Sequence, residues 1–189
     1  MKVTKAQAQA NRTHIVDTAS TLFRERGFDG VGVADLMAAA GFTHGGFYKH
    51  FGSKVDLMAE SAACGAAQTE ALLADAKIGD IVNQYLSREH RDARGTGCTM
   101  AALGGDAARQ PPAVRATFSE SIERLSAALS AGDASTDGLD GGQVRTRSLV
   151  ILAQMVGAIV MSRACPDDSP LADEILASCR NAIMASLPD

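Results

Sequence analysis

Residues 33–51, VADLMAAAGFTHGGFYKHF, leave this chain fewer folds to choose from than any other stretch. Val33, Leu36, Met37 and Ala40 fall at i, i+3, i+4 and i+7, the apolar stripe of a short helix. Gly41 then supplies the left-handed backbone position that a sharp turn between helices needs. Thr43 is placed to cap a second helix by accepting an N–H bond from its first turn. That helix turns Phe47 inward, and Phe51 follows one turn later.

The second helix breaks the rules of a plain core element. Gly45 and Gly46 stand inside it, each costing about 1 kcal/mol relative to alanine. Two violations in one turn point to a functional constraint. Losing two side chains lets a backbone approach something flat and close. Around the glycines stand Thr43, His44, Tyr48, Lys49 and His50, with Lys54 just beyond. These donors and cations suit phosphate oxygens and base edges. A helix, a tight turn and a second helix exposing such groups read as a helix-turn-helix that binds DNA. His50 and Tyr48 are expected on the DNA backbone, and His44 and Lys49 nearer the groove.

The stretch 27–60, GFDGVGVADLMAAAGFTHGGFYKHFGSKVDLMAE, closely resembles the DNA-binding domain of TetR-family transcriptional regulators. The resemblance rests on the spacing from Gly41 to the Phe47-Tyr48-x-His50-Phe51 run, and on Ser53-Lys54 opening the next helix. One departure is Gly32, where the family usually carries a Ser or Thr cap. Glycine is an acceptable cap too. The resemblance implies a repressor bound to a palindromic double-stranded DNA operator. It also implies release by a small apolar or amphipathic molecule entering the C-terminal bundle.

Composition agrees with an all-α fold. Apolar residues make up 46% and aromatics 4%, with no Trp. Ala and Leu dominate, and β-branched runs are few. The expected architecture is an N-terminal three-helix helix-turn-helix domain, residues 1–52, followed by a C-terminal ligand-binding and dimerisation bundle, residues 53–189, about nine helices in all. The net charge of −4 divides unevenly. Residues 1–55 carry Lys2, Lys5, Arg12, Arg24, Arg26, Lys49 and Lys54 against Asp17, Glu25, Asp29 and Asp35, a net of +3, and the remainder carries −7. Such asymmetry marks a nucleic-acid end and an opposite end. Lys2 and Lys5 either touch DNA backbone or solvate a mobile arm.

Residues 1–10 are polar and carry no signal-peptide pattern. The longest apolar run, 149–161, spans 13 residues and is too short to cross a bilayer. The chain is expected in the cytoplasm, away from membranes. There Cys64, Cys98, Cys165 and Cys179 are reduced thiols by default, and their spacing fits no zinc site.

In chain order, Ile15, Ala19, Leu22 and Phe23 stripe a helix over about 7–26, ended by Gly27. Ser53 and Asp56 form an acidic capping box opening a long helix to about residue 76. Lys54 at its N-terminus is suited to a phosphate. Ile81, Val82, Tyr85 and Leu86 signal a helix that dies in the charged run 88–97. A short helix follows over 98–109. After Pro111 and Pro112, Val114, Phe118, Leu125 and Leu129 stripe another, with Ile122 on the same face. Residues 131–142 read as a loose loop.

Residues 143–164 form a helix that is apolar nearly all round, which requires burial on two sides. A last helix follows Ser169-Pro170, with Leu171, Ile175, Cys179 and Ile183 recurring every four residues. Either these two helices finish the monomer core or they build a four-helix dimer interface. A reader of two half-sites favours the homodimer, with Leu149, Leu152, Val156, Val160, Leu171, Ile175, Cys179 and Ile183 at the interface.

Candidate effector contacts are Tyr85, Cys98, Met100, Leu103, Phe118, Met155 and Ile159. His90, in a charged run, is expected in solvent. Cys98, in Gly-Thr-Gly-Cys-Thr at a helix start, is either a small buried hydrophobe or a reactive thiol sensing electrophiles or oxidants. An all-helical enzyme is the distant alternative. The chain shows no His-Glu metal pair, nucleophile elbow or glycine-rich loop after a strand, so no catalytic residues, metal or cofactor are expected.

Overall fold

The computed structural model describes residues 4–74, 76–133 and 138–187. Lys2 and part of the expected 131–142 loop lie outside these residues. Among them are nine α-helices, one 3₁₀ helix and no strand. The order is α1 (Lys5–Arg26), α2 (Val33–Ala39), the 3₁₀ helix (His44–Lys49), α3 (Lys54–Leu73), α4 (Ile78–Tyr85), α5 (Arg88–Asp92), α6 (Thr99–Ala107), α7 (Pro112–Ala131), α8 (Gly141–Ala164) and α9 (Pro170–Ser186).

Helix α1 begins two residues before the expected start because the Thr4 hydroxyl accepts the Gln7 N–H at 3.1 Å. It ends at Gly27, whose φ of 76° lets its N–H return to Phe23 O. Ile15, Phe23, Leu36, Met37, Phe47 and Phe51 close the core beneath the N-terminal helices. Phe28 joins this unit to the rest. Its ring meets Phe23 edge-on at 5.1 Å and Phe118 of α7 at 6.4 Å. Helix α3 packs against α1 on one side and α7 on the other. The core is one continuous cluster from Ile15 to Ile183.

Several expectations need correction. The charged run is not a plain helix end, because Ser87 Oγ accepts the His90 N–H and starts α5 within it. Ile122 is exposed, since it sits at the mouth of a groove rather than over the core. Helix α8 buries only one face, Ser148 to Ser162, against α7 and α9. An 18-residue window of the 24-residue α8 has mean hydropathy 1.5, so by length and composition alone the helix could cross a membrane, and a third of that window is buried inside the chain.

Candidate functional site

The turn between α2 and the 3₁₀ helix has Gly41 at φ 79°. Beyond it, the expected second helix is a six-residue 3₁₀ segment. Thr43 does not cap it through its side chain, contrary to expectation. Its carbonyl accepts the Gly46 N–H at 2.9 Å instead. Phe47 is buried beneath, while Thr43, His44, Gly45 and Lys49 are exposed, Tyr48 is 70% exposed, and Gly46 is half-buried. Tyr48 stands edge-on against Phe47 at 5.2 Å, so its ring has a fixed base and a free hydroxyl end.

Neither glycine is there for the fold. Gly45 and Gly46 have ordinary negative φ. A Cβ at Gly45 would meet nothing within 4 Å, and one at Gly46 would make only ordinary contacts with Met37 and Thr43. At Gly45, where the space is open, the missing side chain therefore matters only to something outside the chain.

His50 and Lys54 are turned inward more than expected. His50 is half-buried beside Phe42 and Phe51. Lys54 Nζ donates to Phe28 O at 2.7 Å and lies 5.8 Å from the Phe23 ring centre. At least one of its N–H groups is committed to holding α3 against the α1–α2 turn.

Arg12 was not singled out, yet it ties three elements. It makes a two-pronged ion pair with Glu60 of α3, donates to His50 O at 3.3 Å, and lies 4.6 Å above the Phe51 ring. Glu60 raises its pKa, chiefly through the hydrogen bonds. The signal was present: Arg12 stands on the apolar stripe that continues through Ile15, Ala19 and Phe23.

In the C-terminal part, a cavity of about 220 Å³ opens between α3, α4 and α5. Tyr85 and Cys98 line it, as does His90. His90 is not in solvent. Its ring lies 4.3 Å from that of Tyr85, Nδ1 is 2.7 Å from Tyr85 O, and Nε2 accepts the Cys98 N–H at 3.1 Å. An amide N–H facing Nε2 leaves the proton on Nδ1, donated to the carbonyl. Burial lowers the imidazole pKa, with Arg163 adding to the effect. Burial also pushes the Tyr85 hydroxyl well above its usual value.

The remaining effector candidates separate. Met100 and Phe118 line a second, apolar groove of about 480 Å³ between α6, α7 and α8. Leu103, Met155 and Ile159 are fully buried in the core and line neither cavity. Their stripes pack helix on helix.

The cavity wall continues into contacts with the N-terminal unit. Arg24 of α1, buried, donates to Gly97 O and to Gln68 Oε1 of α3, both at 3.2 Å. Burial lowers its pKa. Helix α6 begins one residue after Cys98, and its Asp106 accepts the Phe28 N–H at 3.2 Å. Gly27 suits that place because its φ of 76° is one that other residues rarely adopt, and a Cβ there would also push on that carboxylate.

The outer faces of α8 and α9 carry the expected dimer residues unevenly. Val160 and Leu171 are exposed by 46% and 52%, and Leu149, Val156, Ile175 and Cys179 are half-buried. Ile183 is buried in the chain's own core, and Leu152 is buried at the floor of the groove between α6, α7 and α8 rather than on the outer face. Residues four apart overshoot a helical turn by about 40°. The Leu171-to-Ile183 series therefore walks from the outer face round to the core face shared with Leu176. Val150 and Met161, not anticipated, are exposed by 51% and 59% on the same side of α8.

Residues 15–60 match the family described as bacterial regulatory proteins, tetR family. The HTH-type transcriptional regulator Rv0196 of Mycobacterium tuberculosis is 26% identical over 96% of this chain and 98% of its own. The repressor KstR2 of Rhodococcus jostii is 45% identical over 49 residues, 26% of this chain and 24% of its own. Among solved structures, reduced Escherichia coli NemR superposes with a TM-score of 0.76 over 95% of this chain and 98% of its own, at 19% identity. A regulator from Chloroflexus aurantiacus gives 0.75 over 95% of each, also at 19%. With the family's sequence pattern running from α1 into the start of α3 and a relative collinear from end to end, residues 15–60 carry the sequence pattern of the tetR family of bacterial regulatory proteins, and the chain as a whole shares the fold of TetR regulators.

Proposed function

We propose that the chain is a cytoplasmic, homodimeric repressor that binds a palindromic operator through residues 1–52 and is released when a small molecule enters the bundle of residues 53–189. The observation that supports the DNA reading is the bare, exposed backbone at Gly45, beside a half-buried Gly46 and above a buried Phe47. Thr43, His44, Tyr48 and Lys49 flank that backbone as groove and phosphate contacts. His50 and Lys54 join from the rim, each also bracing the fold.

Dimerisation runs through the outer apolar faces of α8 and α9. Two readers in one dimer match two half-sites about one helical turn apart. An effector in the Tyr85–Cys98 cavity acts on Gly97, Cys98 and the start of α6, which reach α1 through Arg24 and the Phe28 amide through Asp106. Release requires the effector to bind the DNA-free arrangement more tightly. A second reading is favoured by the place of Cys98 on the cavity wall, where a small electrophile or oxidant would reach its thiol. Cys98→Ser would then keep DNA binding and abolish release by thiol reagents.

The test is selection of random duplex DNA by the full chain, read by sequencing. A recovered palindrome supports the reading. No enrichment at low salt overturns it.

A further inference from the structure

One buried group in the α3–α4–α5 cavity serves neither the core nor the helix-turn-helix. The Tyr85 hydroxyl is buried, and no described nitrogen or oxygen of the chain partners it. Its hydrogen bond to the neighbouring Cys98 thiol is a weak one, since sulfur is a poor acceptor, and does not replace an oxygen. A buried donor left in this condition is costly, and native proteins rarely tolerate it without a use.

The hydroxyl is also held in place. Its ring packs at a tilt of 50° against His90, and His90 is fixed at both nitrogens by Tyr85 O and the Cys98 amide. Leu72, Leu73 and Ile81 supply apolar wall, and Glu89 stands among the lining residues. Arg163, the cation that acts on the hydroxyl, donates to the carbonyls of Arg91 and His90. At about 220 Å³ the space falls below the range of roughly 300–1,000 Å³ that holds drug-sized ligands.

We propose that this cavity takes a compact, neutral, largely apolar molecule carrying one hydrogen-bond-accepting oxygen, and that the Tyr85 hydroxyl donates to that oxygen. This rests on reading the C-terminal bundle as the effector-binding unit. An apolar body matches the wall, a single acceptor matches the single unpartnered donor, and Glu89 disfavours a carboxylate.

The test is calorimetric titration of the full chain with acetophenone and α-methylstyrene, which differ by C=O against C=CH₂. Wild type should bind acetophenone about five- to tenfold tighter, the worth of one hydrogen bond. Tyr85→Phe should erase that difference and, by removing an unpartnered buried donor, raise the melting temperature. Equal affinities in wild type, no binding of either probe, or a preference that survives in Tyr85→Phe overturns the proposal. So does a Tyr85→Phe variant of lower melting temperature, which would mean the hydroxyl was already satisfied. Benzoate binding tighter than acetophenone overturns the neutral class. All these readouts use the chain without DNA, so their failure and a failed operator selection are told apart.

Discussion

A glycine that the fold does not require can be tested in a way that a structural glycine cannot. Gly45 has ordinary φ and open space where a Cβ would go. Alanine favours helical backbone over glycine by about 1 kcal/mol, so Gly45→Ala should leave the melting temperature unchanged or raise it. Its affinity for duplex DNA should fall about tenfold or more, a loss of about 1.4 kcal/mol, measured by gel shift. Lys54 is the contrasting case, because its ammonium already holds Phe28 O. Lys54→Ala should lower the melting temperature and reduce the salt slope of DNA binding by about one. A lower melting temperature with an unchanged slope would leave Lys54 as a brace and remove it from the DNA contacts.

At the scale of elements, the five residues of α5 hold more of the structure than their length suggests. Arg91 is only 1% exposed, and it donates to Ser162 Oγ, Ser162 O, Cys165 O, Asp92 and Asp167. Ser162 in turn donates to Ala172 O of α9 at 2.8 Å. Arg88 adds bonds to Asp92, Asp173 and the Asp167 carbonyl. One face of α5 therefore locks the α8–α9 corner, while His90 on the other lines the cavity. Arg91→Ala strips Ser162 and the Cys165 carbonyl of a buried donor, leaves only exposed carboxylates behind, and should cost about 1–3 kcal/mol in urea unfolding. His90 adds a pH dependence of definite sign. Its folded pKa lies below the usual 6.5. Above pH 6.5 both states hold it neutral. As pH falls below 6.5 the unfolded chain is protonated first, so stability declines until the folded pKa is passed. His90→Gln should flatten that decline in urea melts between about pH 7 and pH 5. An unchanged decline would assign it to other groups.

At the scale of the molecule, the leftover surface is the informative one. Helix α8 is apolar on two faces and the chain covers one. Val150, Val160 and Met161 stay exposed on the other, with Leu171 of α9 alongside. If this surface is the dimer interface, Val160→Glu should give a monomer by light scattering, and operator affinity should fall because one reader is lost. A dimer that persists in Val160→Glu would move the interface elsewhere, the groove lined by Met100, Ile122 and Leu149 being the next surface to test.

What the sequence determined by itself was local. The 3.6-residue stripes located the long helices, and Gly27, Gly41 and the proline pair marked their ends, because these depend on neighbours in the chain. The exposed set of Thr43, His44, Tyr48 and Lys49 was legible for the same reason, since each lies within four residues of Gly45. Only the tertiary structure decided what depends on distant partners. It turned Lys54 toward Phe28 and made Arg12 a staple between α1 and α3. It brought His90 out of a charged run to pack against Tyr85, and it divided the effector candidates between a cavity, a groove and the core. Periodicity gives the angle at which a side chain leaves its helix; which neighbour, cavity or solvent it meets at that angle is set by how the helices pack.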